Sequence, residues 1–437
     1  MMRLSRILLL CGALLAGSCS RSDDKTEIVV QRFFGECGAV YGQSTDVAAA
    51  DTECGILTTL INKFEAENPD VRLKVNIVAW PGYPQLAAQI AAGDPPDLVT
   101  MHQSVINDYQ GRGLLEPVGG ILRQAGVDPG GFTPAARAGV EKNGQLFGLP
   151  FDTIGRLFHI NTRLMAEAGL MRAGKPVLPN SPEELLTQAR QFKARTGKPY
   201  LIQASVSAPD FQVALLYTYL LAQNAVIFPD NRQVRLDTPQ AREIVALFRQ
   251  LYAEGLTTRN QDFPAATASF IGGEGGIFPV GTWMIGPYDT EAANPESALH
   301  GAYTVAPFPR LWGQPTSFVD GHAWVVPRAE RSPEEEEAIG RFLAFLADNN
   351  FDWSRTGQLP AMRAVLSTPE FRALPHRQDY ATVATQGVQL PPYVQRQSAV
   401  QGLIGEELEA AVTGAKPINQ ALADAERRVN ELYAQML

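Results

Sequence analysis

Apolar and polar positions fall into distinct blocks along the first hundred residues. IVVQRFF, residues 28–34, is a nearly unbroken apolar run and predicts a buried strand. Gly35-Glu36-Cys37-Gly38 ends it, and the small, polar stretch from Ala39 to Ala50 predicts a loop. Between Cys54 and Asn68, residues Leu57, Leu60, Ile61 and Phe64 recur at helical spacing, and Pro69 stops the helix. VRLKVNIVAW, residues 71–80, alternates with a period of two and predicts a second strand. Tyr83 to Ala92 predicts a helix, Gly93-Asp94-Pro95-Pro96 a turn, and DLVTMH a short strand with a helix behind it. Strands alternating with helices in this way predict an α/β fold that opens on a parallel sheet.

The pattern continues less regularly. NGQLFGLPFD, residues 143–152, carries a hairpin-like signal that runs into an extended segment. SPEELLTQARQFKARTG, residues 181–197, has Ser181 placed to cap a helix, Pro182 at its first position and Glu184 in its first turn. YLIQAS predicts another strand, and helices are expected near 210–223, 238–254 and 333–348 and in the tail from Val400 to Leu437. No internal repeat or low-complexity segment is present.

The N-terminus follows different rules. MMRLSR carries two arginines, and ILLLCGALLAG is apolar but too short to span a bilayer with ease. Small residues then lead to Cys19, and SRSDD follows. The stretch LLAGSC resembles a bacterial lipobox, which implies cleavage before Cys19 and a lipid on its thiol. Residues 1–18 are then an address and residues 19–27 a flexible tether. Removing 18 of the 437 residues leaves 419, enough for two lobes with cores of their own. Without Arg3 and Arg6, 35 basic residues face 46 acidic ones, a net charge of −11, which argues against a nucleic-acid partner. Cys37 and Cys54 form an even pair in an exported chain and predict a disulfide. Closing that loop is worth roughly 3 kcal/mol in the chain-entropy model. None of the five histidines, His102, His159, His300, His322 and His376, sits at a metal-ligand spacing, so neither metal nor cofactor is expected.

Six segments recur in one order: FEAENPDVRLKV, IAAGDPPDLVTMH, NGQLFGLPFDTIGRLFHINTRLMAEAGL, SPEELLTQARQFKARTGKP, FIGGEGGIFPVGTWMIGPY and DGHAWVVP. From about residue 28 to the C-terminus the chain resembles the bacterial extracellular solute-binding proteins of family 1, the maltose-binding-protein-like lipoproteins that feed sugars to ABC importers. The resemblance implies a two-lobe periplasmic-binding-protein fold, type II-like, with a ligand cleft between the lobes. It implies chain crossings near Leu149–Asp152, Tyr303–Pro309 and Asn349–Arg355. Lobe one would hold 25–149 and 308–348, and lobe two 150–307 and 349–437. The implied role is that of a monomer, held to the membrane by its lipid on the periplasmic or extracellular side, which passes a mono- or oligosaccharide to the permease.

A sugar offers hydroxyls at its edge and C–H groups on its faces, so its cleft needs polar side chains and aromatic rings. Glu36 follows the first predicted strand, Trp80 ends the second with Tyr83 beyond it, and His102, Gln103 and Ser104 follow DLVTM, where the family places hydroxyl-binding groups. Asp152 would lie on the cleft floor, or pair with Arg156. Gly321 would let backbone approach ligand, beside Asp320. Trp283, after the apolar GIFPV, is where the family presents an aromatic ring. Phe211, Trp353, Arg363 and Tyr393 complete the candidates. A buried packing role is the competing reading for each ring, and a solvated or ion-paired one for each charge. No G-x-S-x-G, H-E-x-x-H or nucleotide loop marks an enzyme, and FIGGEGG lacks the lysine and spacing of a phosphate cradle. A glycoside hydrolase would need two facing carboxylates, and no motif singles out a pair. A polyol, a glycerol phosphate ester or a peptide is the alternative ligand, with Arg156, Arg355 and Arg363 as the groups that would favour a phosphate.

Overall fold

The first apolar run becomes strand β1, Thr26–Arg32, with Ile28 and Val30 fully buried. The computed structural model describes residues 25–206 and 209–436, so the signal-like segment, Cys19 and the tether up to residue 24 lie outside the described residues. β1 pairs in parallel with β2, Val71–Ile77, along its whole length, and with β3, Leu98–His102. Helix α1, Glu53–Glu67, joins β1 to β2, and α2, Tyr83–Ala92, joins β2 to β3, the crossovers that parallel strands require. α1 starts where Thr52 Oγ1 accepts from the Gly55 amide, and it buries Ile56, Leu57, Leu60 and Phe64. α3, Gln103–Gln110, follows β3 without a break.

Besides two short two-stranded hairpins, eight further strands build the two main sheets: β4 (Leu149–Pro150), β5 (Asp152–Asn161), β6 (Ile277–Gly281), β7 (Tyr303–Pro307), β8 (Ser317–Asp320), β9 (His322–Val325), β10 (Leu359–Pro360) and β11 (Gly387–Val388). β9 and β4 complete the first sheet in the order β2-β1-β3-β9-β4. The second sheet is built on β5, to which β6, β7, β8 and β10 all run antiparallel. β5 was expected only as an extended segment. Eight of its ten residues are buried, so period-two alternation is absent, and Arg156, His159 and Asn161 interrupt the apolar run. Conversely YLIQAS is not a strand. It makes isolated bridges at Leu201 only, to Thr257 and Ile277.

The helices come close to expectation. α4 spans Pro182–Thr196 and is capped by Ser181, whose Oγ accepts from the Glu184 amide at 3.1 Å. α5 spans Pro209–Ala222, α6 Pro239–Ala253 and α7 Pro333–Asp348, followed by the short α8, Asn350–Ser354. The tail forms two helices, α9 (Gln397–Thr413) and α10 (Ile418–Ala434), separated at Gly414 and Pro417. α7 packs on the first sheet through Ile339, Phe342, Leu343 and Leu346, while α5, α6, α9 and α10 bury their apolar faces against the second.

The chain passes between the sheets at three adjacent places. Between β4 and β5 the passage is at Phe151, whose amide donates to His322 O at 2.8 Å. After α7 it is at Asn350, whose Nδ2 donates to Phe151 O at 2.7 Å. The middle passage is at Gly321, between β8 and β9, later than the expected Tyr303–Pro309. That earlier segment is β7, paired along β5, and β8 still pairs with β5 before the chain leaves. Gly321 permits the step because a Cβ there would lie 2.4 Å from Asp152 O. The expected disulfide is present between Cys37 and Cys54.

Candidate functional site

Parallel strands deliver their carboxyl ends to one edge of a sheet, where open α/β folds place ligands. Phe33 and Phe34 follow β1, Trp80 and Tyr83 follow β2, and His102 ends β3. The His102 ring lies parallel to Phe33 with centroids 5.4 Å apart, and the Trp80 ring meets it edge-on at 5.9 Å. Trp80 is 69% exposed, unusual for an indole beside a buried cluster. Tyr83 Oη accepts from the His102 amide at 2.9 Å and lies 2.7 Å from Nδ1. In the tautomer that carries the ring proton on Nε2, the hydroxyl donates to Nδ1. Burial, then the neighbouring His322, pull the His102 pKa down to about 4, against the carboxylates of Asp320, Asp152 and Asp210. His102 is therefore a neutral ring near pH 7.

The next residues are anchored. Gln103 is fully buried, and its Nε2 donates to Asp152 O and His322 O at 3.0 and 3.1 Å. Ser104 donates through its amide and its hydroxyl to Asp320, at 3.0 and 2.6 Å, and the Gly321 amide adds a third bond. Asp320 thus caps α3 and keeps one lone pair of a half-exposed carboxylate unfilled.

Asp152 is fully buried, and all its donors are protein groups: the His322 amide and Nδ1, both at 2.8 Å, and Trp353 Nε1 at 2.7 Å. The donors come from β9 and α8 and the acceptor from β5, so the carboxylate ties together the three passages. Burial alone would lower the His322 pKa, but the charge and hydrogen bond of Asp152 raise it overall. Trp353 stacks on Phe151 at 4.5 Å inside the core. The alternative partner of Asp152, Arg156, is engaged elsewhere.

Arg156 lies on the same face of β5 as Asp152, four residues on, and opposite Gly281 of β6. Its Nη2 donates to Asp210 Oδ2 at 2.7 Å, and its guanidinium lies 4.4 Å from the Phe211 ring and 5.6 Å from the Trp283 ring. Trp283 is half-buried on the short 3₁₀ turn after β6. Its ring covers Gly281, where a Cβ would meet it at 1.7 Å. Arg156, Asp210, Phe211 and Trp283 therefore form one group on the second body, and the Asp210 carboxylate acts on His102 of the first.

Three candidates are not brought here. Glu36 is exposed and accepts from the Gly38 amide in the disulfide loop. Arg363 donates to Gly130 O and Phe132 O, and Tyr393 donates to Phe228 O at 2.8 Å. Arg355 likewise donates to backbone, at Val47 O and Ala48 O. The residues that sequence reasoning missed are Phe33, Phe34, Asp210 and His322. The only signal for the last was its place one residue after Gly321.

Among the described residues no group of three or more His, Cys, Asp or Glu is arranged to hold a metal ion. No helix among them is long and apolar enough to cross a membrane.

Residues 50–350 match the family model described as bacterial extracellular solute-binding protein. The chain belongs to that family. Within it, this solute-binding protein is 26% identical over 196 residues to a binding protein of Brucella abortus, an alignment that covers 44% of the chain and less than half, 46%, of that relative. It is 23% identical over 414 residues to the sn-glycerol-3-phosphate-binding periplasmic protein UgpB of Escherichia coli, covering 86% of the chain and 88% of the relative. It superposes on the sugar-binding protein MalE of Xanthomonas citri with a TM-score of 0.78 at 16% identity, over 94% of this chain and 98% of that one. The fold of this solute-binding protein is therefore the two-lobe fold of MalE, and its two sheet-centred bodies are the two lobes.

Proposed function

We propose that this protein captures a mono- or oligosaccharide in the cleft between its lobes and delivers it to the permease of an ABC importer. The observation that carries the proposal is the make-up of the two facing groups. Exposed Trp80 and half-buried Trp283 offer ring faces. Neutral His102, half-exposed Asp320 and the Arg156–Asp210 pair offer hydrogen-bonding edges. Rings for C–H faces and a few fixed polar groups suit a sugar. Glu36, Gln103, Asp152, Gly321, Trp353, Arg363 and Tyr393 take supporting roles in this reading, because each is committed to protein partners, buried in packing or remote from the two groups.

A phosphate ester fits less well. It would call for several unpaired cationic groups. Arg355 and Arg363 are spent on carbonyls, and Arg156 is already matched by Asp210. A hydrolase fits less well again, since Asp152 is sealed in the core and Asp320 caps a helix. The proposal includes a lipid on Cys19, the membrane anchor, the monomeric state and the absence of turnover.

A thermal-shift panel of the mature, lipid-free protein tests it, with maltose, maltotriose, trehalose, cellobiose, chitobiose and glycerol 3-phosphate. A bound sugar at about 100 times its Kd adds about 2.7 kcal/mol of stability, a shift of several degrees. The sugar should be recovered intact. A shift with glycerol 3-phosphate alone, or steady release of reducing ends, would overturn the proposal.

A further inference from the structure

The segment between the two bonded cysteines touches the other lobe. Its own geometry is fixed from three sides: by the Cys37–Cys54 bond, by Asn62 Nδ2, which donates to Tyr41 O and Ser44 O at 2.9 and 2.8 Å, and by the Thr52 cap of α1. Against it lies the turn Arg355–Gln358, which leads into β10 of the second sheet. Arg355 donates to Val47 O and Ala48 O. Gln358 Nε2 donates to Glu53 Oε1 at 2.9 Å, and Gln358 Oε1 accepts from Thr282 Oγ1 at 2.6 Å. Gln358 is 1% exposed and Thr282 fully buried. From behind, Tyr380 donates to Gly357 O, and Arg377 donates to the carbonyls of Ser354 and Arg355.

The amide of Gln358 cannot flip without loss. Turning it would set its oxygen against the Glu53 carboxylate, which has no proton to donate when ionised. One hydrogen-bonded line therefore runs from Glu53, next to the disulfide, to Thr282, next to Trp283. The Thr282–Gln358 link is buried and the Gln358–Glu53 link partly so, where a lost partner costs more than at an open surface.

We propose that the stapled segment Cys37–Cys54 is a docking platform for the turn Arg355–Gln358, and that Gln358, acting through Thr282, positions Trp283 for ligand. The disulfide in one lobe then sets the affinity at a ring on the other. Gln358 and Glu53 are positioning residues and do not touch ligand. The affinity part of this inference rests on the reading that Trp283 meets the sugar, and the coupling part does not.

Hydrogen exchange of the ligand-free mature protein tests the coupling in four forms: wild type, Gln358→Met, Glu53→Gln, and Cys37→Ser with Cys54→Ser. Gln358→Met keeps the disulfide and the side-chain volume. Its peptides covering 47–53 and 281–285 should both exchange about 10-fold faster, with 157–161 unchanged. Glu53→Gln keeps an acceptor for Gln358 and should match wild type. The double cysteine variant should accelerate 281–285 as well as its own loop. Faster exchange confined to 37–54 in the cysteine variant, or no response of 47–53 to Gln358→Met, overturns the proposal. Titration of the panel sugar with the largest thermal shift then reads affinity, expected to fall about 10-fold in Gln358→Met and to be retained in Glu53→Gln. Unchanged affinity in Gln358→Met overturns the positioning role. If no panel sugar binds wild type, it is the carbohydrate reading that fails, and the exchange result still decides the coupling.

Discussion

Asp152 is fully buried, and its carboxylate joins β5 to β9 and α8. The sequence put a carboxylate where the chain passes between lobes, and polar groups at such places are natural ligand partners. Its three donors, His322 N, His322 Nδ1 and Trp353 Nε1, come from segments far apart in the chain, so no local pattern could announce them. Asp152→Asn turns one acceptor into a donor that faces N–H groups. Breaking a buried charged contact of this kind costs about 3–5 kcal/mol, so the midpoint of chemical denaturation should fall sharply. A loss below about 1 kcal/mol would mean that the passages are held by packing alone. Trp80, Tyr83 and His102 were legible because strand ends can be read from periodicity. The Arg156–Asp210 pair and the Glu53–Gln358–Thr282 line were not, because both depend on which antiparallel strands and turns lie side by side.

Strand β5 carries the second sheet and was the element hardest to see. A strand buried on both faces has no alternation to betray it, and this one places a histidine and an arginine in the run. The histidine has a consequence for stability. His159 is fully buried, with Nδ1 2.8 Å from Tyr303 Oη, and burial holds its pKa down at about 3. Its value in an unfolded chain is about 6.5. Between those two values the unfolded chain takes up a proton that the folded one refuses, so stability falls as pH drops through the window. His102, held at about 4, acts in the same direction. His322 acts in the opposite sense, because its raised pKa favours the folded state at low pH and its contribution fades as pH rises. Replacing His159 with Gln should remove up to about 1.4 kcal/mol of destabilisation per pH unit below 6.5, seen as a shallower fall of Tm between pH 6.5 and 5. Parallel curves for the two proteins would show that His159 takes up its proton without unfolding.

At the scale of the molecule, two sheets are joined by three adjacent passages. The α/β class, the opening parallel sheet and most helices followed from periodicity and caps. The second passage did not, because an apolar, proline-flanked segment such as YTVAPFP reads equally well as a linker or as a paired strand, and only the register with β5 decides. The central claim is that the two facing groups hold a sugar between them, and Trp283 is the ring on which it depends most. Calorimetric titration of the panel sugar with the largest thermal shift into wild type and Trp283→Ala, with both melting curves recorded, tests it most directly. Loss of a central aromatic contact costs about 2 kcal/mol or more, so binding should weaken about 30-fold or more while Tm stays near that of wild type. Affinity retained with a collapsed melting transition would contradict the account, and would make Trp283 a packing residue over Gly281 and not a face for ligand.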